Sequence, residues 1–286
     1  MRAPLALPCL ALACAAGFAA WNSRATATEA APPRAQDVVQ DAAQDVASKL
    51  REVFAAEGIL LDVPKGYASV PAEILVRGDL LEYLVVNPRG AVHESAFLTS
   101  VAASRINAAM LALGVEPGRN ARWQRKDPPP TLEEMRDGAP AYDVTPPEGD
   151  GFYVYVAWKL DGETHFHRME DLILDLRTGA TMRRHRWVYL GSRMLKLRGD
   201  EGQEAFAADL EGNLINIAFF HQGNTLITGA LPECIDQTIW QSNYWLLPER
   251  ESPVELIFAL ERLLQCPADI EARLKEATRV APRESR

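Results

Sequence analysis

Short runs that alternate in polarity, or that consist largely of β-branched and aromatic residues, recur along this chain and constrain its fold more than any other feature. FYVYVAWKL at 152–160 and NLINIAFF at 213–220 are rich in β-branched and aromatic side chains. Turn-forming pairs such as Asp161-Gly162 and Glu211-Gly212 separate the runs. A period of two is typical of strands, and such pairs favour hairpin turns. The pattern predicts an α+β fold, mostly antiparallel β-sheet with a few peripheral helices in a single domain.

Helical spacing is confined to a few segments. Residues 37–58 carry apolar side chains every three or four positions and end at Gly58, which predicts an N-terminal amphipathic helix. A short helix is predicted after the first pair of strands, between Ser104 and Gly114, and a helical tail over 261–286. Residues 59–260 then form the β-rich domain, with a Pro-rich surface loop at 126–151 that holds at most one helical turn, near Leu132 to Met135.

The N-terminus has the pattern of a secretory leader. Arg2 precedes an uncharged run at 3–20, and Ala25-Thr26-Ala27 is a small-x-small cleavage site. We therefore expect a signal peptide at 1–27, a disordered tether at 28–36, and export to the periplasm or cell envelope. ALAC at 11–14 offers an alternative, a lipoprotein anchored through Cys14. No later run is long and apolar enough to cross a membrane, so no transmembrane span is predicted in the mature chain.

Charge and motifs narrow the function classes. Removing residues 1–27 takes away Arg2 and Arg24 and no acids, which leaves 28 basic residues against 39 acidic ones. Such a balance argues against sequence-independent nucleic-acid binding. There is no phosphate-binding glycine loop, dinucleotide fingerprint or HExxH motif, so no cofactor is predicted. The expected partner is an unidentified protein or a small-molecule ligand.

The mature chain would keep two cysteines, Cys234 and Cys266. Outside the cytoplasm the pair can persist as a disulfide, which would stabilise the fold by about 3–4 kcal/mol. Two separate free thiols are the alternative, and sequence spacing does not decide between them.

The first candidate site lies in RGAVHESAFLTS at 89–100. If 81–86 and 91–100 form a hairpin with a four-residue turn, Glu82, His93 and Ser95 share one face. A three-residue turn would instead place Glu82 beside Glu94. A structural hydrogen-bonded network is favoured, ahead of a ligand site and ahead of a serine hydrolase, because no Gly-x-Ser-x-Gly elbow is present.

A second candidate lies in HFHRMED at 165–171, where His165 and His167 share a strand face. His-x-His is a recurrent metal-ligand spacing, with His185, Asp171 or Glu163 as the conjectured third ligand. An exposed histidine pair without metal is the favoured alternative. A set of aromatic residues fits either the core or a carbohydrate-binding groove, and core is the favoured interpretation. The set is Trp158, Trp187, Tyr189, Trp240, Tyr244 and Trp245.

Several short motifs follow one another in an order that resembles that of one protein family. They are Glu82-Tyr83-Leu84, His93-Glu94-Ser95, INAAMLALGVEPG at 106–118, WVYLGS at 187–192, AADLEGNLI at 207–215 and a late LP...SPVEL. In this order the chain resembles the YdjY-domain proteins of bacteria over roughly 59–260. The N-terminal helix, the Pro-rich insert and the C-terminal tail depart from that pattern. The resemblance implies an exported or envelope-associated protein and supplies no catalytic residues. We therefore expect a non-catalytic binding or interaction module, with a hydrolase or metal-dependent enzyme as the alternative.

Overall fold

A computed structural model describes residues 35–197 and 202–279 of the chain. The predicted signal peptide at 1–27, the alternative anchor Cys14 and tether residues 28–34 lie outside the described residues. Helix α1 runs from Ala35 to Ala56, so it begins two residues earlier than predicted. Gly58 follows it with φ +81°, a backbone conformation that suits a glycine stop. The residues described from Ala42 onward form one compact unit.

Strands dominate this unit. The first eight strands are β1 (Leu60–Asp62), β2 (Tyr67–Ile74), β3 (Tyr83–Val86), β4 (Ser95–Leu98), β5 (Arg122–Arg125), β6 (Tyr142–Thr145), β7 (Gly151–Leu160) and β8 (Glu163–Arg168). The remaining strands are β9 (Ile173–Asp175), β10 (Ala180–Thr181), β11 (Trp187–Tyr189), β12 (Met194–Lys196), β13 (Glu204–Phe206), β14 (Asn213–Asn216), β15 (Ile227–Thr228), β16 (Trp240–Ser242) and β17 (Pro253–Ala259). The helices after α1 are α2 (Ala103–Ala112), α3 (Leu132–Arg136), α4 (Ala207–Glu211) and α5 (Ala268–Glu271), with 3-10 turns at Val92–Glu94, Met169–Leu172 and Pro232–Ile235.

The main sheet closes on itself. Its strand order is β2-β17-β7-β11-β15-β14-β3-β4, and β4 pairs back onto β2. Two neighbouring pairs, β14 with β15 and β3 with β4, are parallel, and the others are antiparallel. The α+β class is therefore confirmed, but the mostly antiparallel sheet is corrected to a closed, mixed, eight-stranded barrel. Closure gives both β2 and β4 a partner on each side, so these eight strands form a ring, while β1 pairs with β2 and β8 pairs with β7 outside that ring.

The predicted hairpin between β3 and β4 is wrong, because these strands run parallel, with Tyr83 opposite Ser95 and Val86 opposite Leu98. The chain turns once after β3 and again through the 3-10 turn Val92–Glu94, so it re-enters the sheet in the original direction. The first turn packs against the loop before β14. A Cβ on Gly90 would lie 2.6 Å from the Gly212 carbonyl oxygen, so only glycine fits there.

The barrel interior is apolar and filled. Helix α2 contributes Ile106 and Met110, each at most 3 % exposed, beside Val85 and Phe258 from the strands. The core interpretation of the aromatic residues is confirmed for Trp158, Trp187, Tyr189 and Trp240, which are at most 1 % exposed. Tyr244 is half-buried, and the core interpretation is wrong for Trp245, which is largely exposed.

The outer face of β2, β17 and β7 is covered by the C-terminal segment. Leu263, Cys266, Ile270 and Leu274 pack there as a second apolar cluster. The predicted helical tail is corrected accordingly, since the only helix described after 260 is α5, four residues long. Leu263, Ile270 and Leu274 pack on the barrel surface, whereas Leu264 is 98 % exposed. The amide of Ala277 donates to the Lys159 carbonyl, so tertiary contacts override helix propensity.

The Pro-rich region at 126–151 also has more structure than a loop. Strands β5 and β6 pair at its base, and α3 begins with a capping box between Thr131 and Glu134. Within the described residues, no helix has both the length and the apolarity that a membrane crossing requires.

Candidate functional site

Three of the four residues in the first predicted cluster come together. The Nε2 atom of His93 lies 2.8 Å from Oε1 of Glu94. The carboxyl groups of Glu82 and Glu94 share a hydrogen bond. A strand would have turned Glu94 away from both neighbours, but the 3-10 turn brings all three side chains to one side. The Glu82–Glu94 pair that we expected from a shorter hairpin turn therefore exists, for a different reason.

Electrostatics couple these groups. Burial raises the pKa of Glu82 above its ordinary value, and the charge and hydrogen bond of Glu94 raise it further, while His93 opposes the shift. Burial and the same carboxylates raise the pKa of the adjacent Tyr83 to about 12. Two carboxyl groups that share a hydrogen bond can hold a proton between them. Glu82, His93 and Glu94 thus form one electrostatically coupled cluster at the start of β3.

Ser95 is not part of this network. Its side chain is fully buried, and its Oγ donates to the Ala91 carbonyl at 2.6 Å. His93 is 74 % exposed and bonded to Glu94 instead. The shared face of Glu82, His93 and Ser95 is therefore wrong, because that geometry required antiparallel strands. A serine held by a backbone carbonyl closes the 3-10 turn and is not activated by a base.

The second predicted pair does lie on one strand face. Trp158 of β7 is directly opposite His165 of β8 and stacks on both imidazoles, with ring centroids 5.4 Å from His165 and 5.0 Å from His167. The two imidazole centroids are 6.2 Å apart. Burial, together with His165, lowers the pKa of His167, and Asp171 opposes that shift. At neutral pH, His167 is therefore an uncharged donor and acceptor.

The metal interpretation lacks its third ligand. His185 contacts Trp187, with ring centroids 4.8 Å apart, and does not join the pair on β8. Within residues 35–197 and 202–279, no group of three or more His, Cys, Asp or Glu side chains is placed to hold a metal ion. The two imidazoles instead form part of an aromatic wall.

That wall borders the groove that we call the aromatic groove. It has a volume of about 560 Å³ and is lined by Trp158, Leu160, Asp161, Glu163, His165, His167, 245–248 and Arg279. Trp245 is 72 % exposed and Leu246 is 40 % exposed. Arg279 is ion-paired with Asp161 at the rim. Sequence reasoning treated Trp245 as core and the histidines as a separate site, whereas the structure joins them.

Comparison with known proteins decides the family. The model of the YdjY domain matches residues 65–259. The chain belongs to the YdjY-domain family. The resemblance seen in the sequence is thus confirmed, and the YdjY domain spans β2 to β17, which form the whole barrel. No curated protein and no solved structure matches the chain significantly.

Sequence reasoning missed a buried ionic cluster in the YdjY domain. Arg168 is 9 % exposed and donates two hydrogen bonds, at 3.0 and 2.5 Å, to the fully buried Glu170. Arg168 also donates to the His185 carbonyl at 2.7 Å, and the His185 amide donates to Glu170 at 3.1 Å. The cluster therefore joins the end of β8 to the segment before β11. The sequence signal, Arg and Glu two residues apart at a strand end, is too common to find it.

The imidazole of His185 is buried inside this cluster. Its Nδ1 lies 3.1 Å from the Arg183 carbonyl oxygen, so Nδ1 carries the proton, and no described residue bonds to its buried Nε2. Burial lowers the pKa of His185 despite the nearby Glu170. The basic stretch TMRRHRW at 181–187 is therefore not uniformly exposed, because Arg184 pairs with Asp171 at the surface while the His185 side chain is buried.

Both cysteines of the YdjY-family chain beyond residue 27 are free thiols, so the disulfide between Cys234 and Cys266 is not formed. Cys234 lies in the barrel core and Cys266 in the outer apolar cluster. Burial raises the pKa of each thiol to about 12. The alternative of two separate thiols describes the structure.

Proposed function

We propose that this YdjY-domain protein is an exported, non-catalytic binding module of the cell envelope, and that its aromatic groove binds an envelope glycan. The observation that carries the proposal is the exposure of Trp245 beside the Trp158–histidine stack. An indole ring that is 72 % exposed, next to another exposed apolar side chain, is typical of a recognition surface.

The chemistry of the groove supports a carbohydrate as the occupant. Sugar rings present flat C–H faces, which pack on aromatic rings, and equatorial hydroxyls, which need both donors and acceptors. Trp245 provides an aromatic ring for the C–H face, and the neutral imidazole of His167 provides a donor and an acceptor for the hydroxyls. A volume of about 560 Å³ lies within the range of about 300–1,000 Å³ that ligand sites occupy.

We favour binding over catalysis because Ser95, the predicted nucleophile, does not line the aromatic groove. Ser95 is bonded to the Ala91 carbonyl, and His93 is bonded to Glu94. The export part of the proposal rests on the uncharged run at 3–20 and the Ala25-Thr26-Ala27 site. Cell fractionation with mass analysis of the mature N-terminus tests it. A chain that begins at Thr28 supports cleavage, lipid-modified Cys14 supports the anchored alternative, and an intact cytoplasmic chain contradicts export.

Calorimetric titration tests the groove. The chain from Thr28 onward should bind chitotetraose, a soluble β-1,4-linked N-acetylglucosamine oligomer, and Trp245→Ala should weaken binding at least about tenfold, because truncating a buried interface tryptophan costs about 2 kcal/mol or more. Tyr142→Ala is the matched control, since Tyr142 is also an exposed aromatic, 47 % exposed, and lies on β6 away from the groove lining. Unchanged affinity in Trp245→Ala, or no saturable binding by the wild type, contradicts the glycan proposal.

A further inference from the structure

A second pocket lies on the outer surface of the barrel and shares no lining residue with the aromatic groove. It has a volume of about 290 Å³, just below the range of about 300–1,000 Å³ that is usual for ligand sites. Apolar side chains from Pro71, Leu98, Pro253 and Leu274 form much of its wall. Glu255 of β17 and Arg273 of the C-terminal segment provide opposite charges in it.

Only one of the two carboxylate oxygens of Glu255 has a partner among the described residues. The residue is 4 % exposed, and its Oε1 accepts from Ser69 Oγ at 2.7 Å and lies 3.2 Å from Arg273 Nη2. No described residue bonds to its Oε2, and this oxygen is not among the sealed, unpaired atoms of the protein. Burial raises the pKa of Glu255, although Arg273 and Ser69 oppose the shift. A carboxylate oxygen therefore remains available for a ligand.

The Arg273 side chain is also held through only one of its nitrogen atoms among the described residues. Its Nη2 also donates to the Gly58 carbonyl at 2.7 Å, which fixes the guanidinium beside the barrel. Its Nε and Nη1 have no hydrogen-bond partner within the described residues, and the side chain is 30 % exposed. The pocket thus presents a carboxylate oxygen and guanidinium donors side by side.

We propose that this pocket binds a free α-amino acid with an apolar side chain. Its ammonium group donates to Glu255 Oε2, its carboxylate accepts from Arg273, and its side chain packs against Pro71, Pro253 and Leu274. The contact between Glu255 and Arg273 carries the choice of ligand. An α-amino acid carries its ammonium and carboxylate on one carbon and so reaches both adjacent groups at once, whereas an internal segment of a peptide has neither charged group.

Thermal-shift and calorimetric titrations of the chain from Thr28 onward with L-leucine test the proposal. L-leucine should bind saturably and raise the melting temperature. Isoamylamine lacks the carboxylate and 4-methylvaleric acid lacks the ammonium, so each should bind at least tenfold more weakly. If either analogue binds as well as L-leucine, or if L-leucine does not bind, the proposal is overturned. These measurements need no variant and do not depend on folding of a mutant.

Two variants locate the site. Glu255→Gln keeps a partner for Ser69 but removes the charge, and Arg273→Lys keeps the charge but removes the paired donors. Each should weaken L-leucine binding at least tenfold. Trp245→Ala is the matched control from the aromatic groove and should leave L-leucine affinity unchanged. If Trp245→Ala abolishes L-leucine binding while Glu255→Gln does not, this pocket is not the site, whatever the outcome of the glycan titration.

Discussion

Neutralising Glu170 should destabilise the barrel far more than neutralising its neighbour Asp171. Glu170 is fully buried and accepts two hydrogen bonds from Arg168, which is itself 9 % exposed. Glu170→Gln leaves that guanidinium buried without a counter-charge and places an amide donor against one of its N–H groups. Breaking a buried pair from one side costs about 3–5 kcal/mol.

Two contacts place the expected value near the lower end of this range. The Arg168 guanidinium lies 5.1 Å from the Tyr153 ring centroid and 5.3 Å from that of Tyr155, and these cation–π contacts persist in the variant. The amide oxygen of glutamine can still accept from the His185 amide. We therefore expect Glu170→Gln to cost about 3 kcal/mol. With a urea m-value of about 3 kcal/mol/M, the unfolding midpoint falls by about 1 M.

Asp171→Asn is the matched control. Asp171 is also an acid with a two-oxygen contact to an arginine, but its partner Arg184 is 61 % exposed, so the loss should be at most about 1 kcal/mol. Urea unfolding followed by tryptophan fluorescence measures both variants. Adding Arg168→Gln to Glu170→Gln should recover part of the loss, since no unpaired charge remains. Equal midpoint shifts in Glu170→Gln and Asp171→Asn would refute the reasoning.

Three further predictions concern protons and thiols. The pKa values of His167 and His185 are lowered in the folded state, so the unfolded chain binds protons at a higher pH than the folded chain does. The urea midpoint of unfolding should therefore fall as the pH drops below about 6.5, and a midpoint that stays constant from pH 7.5 to 5 contradicts this. The pKa of Glu82 is raised, so Glu82→Gln should raise the melting temperature at pH 7.5 and leave it unchanged near pH 4, as calorimetric scans would show. Glu94→Gln should behave similarly, because it removes the same repulsion between the two carboxylates. A lower melting temperature at pH 7.5 in both variants contradicts that repulsion. In guanidinium without reductant, a thiol assay of the chain from Thr28 onward should find Cys234 and Cys266 both free, and a count of zero would indicate a disulfide.

Local pattern predicted most strands but not their partners. β7 and β17 each place one face in the barrel core and the other beneath the C-terminal segment, so both are nearly continuous apolar runs. In β17 such a run fits a strand or a helix by periodicity alone. The closure of β4 onto β2 and the parallel pairing of β14 with β15 depend on contacts between distant residues. The C-terminal segment has helical spacing, yet Leu263, Ile270 and Leu274 pack on the barrel, and the one described helix there is four residues long. Propensity is weak beside such packing.

The two candidate sites differ in predictability because their turns differ. Asp161 and Gly162 both have positive φ, as a two-residue hairpin turn requires, so the register of β7 and β8 is set locally. That register places Trp158 opposite His165, and the stack follows from sequence positions alone. After β3, the turn at 87–90 has equally suitable residues, but Gly90 packs against Gly212 and the 3-10 turn reverses the chain again. The partner of that turn lies far along the chain, so the Glu82–His93–Glu94 cluster depends on a contact that no local pattern records.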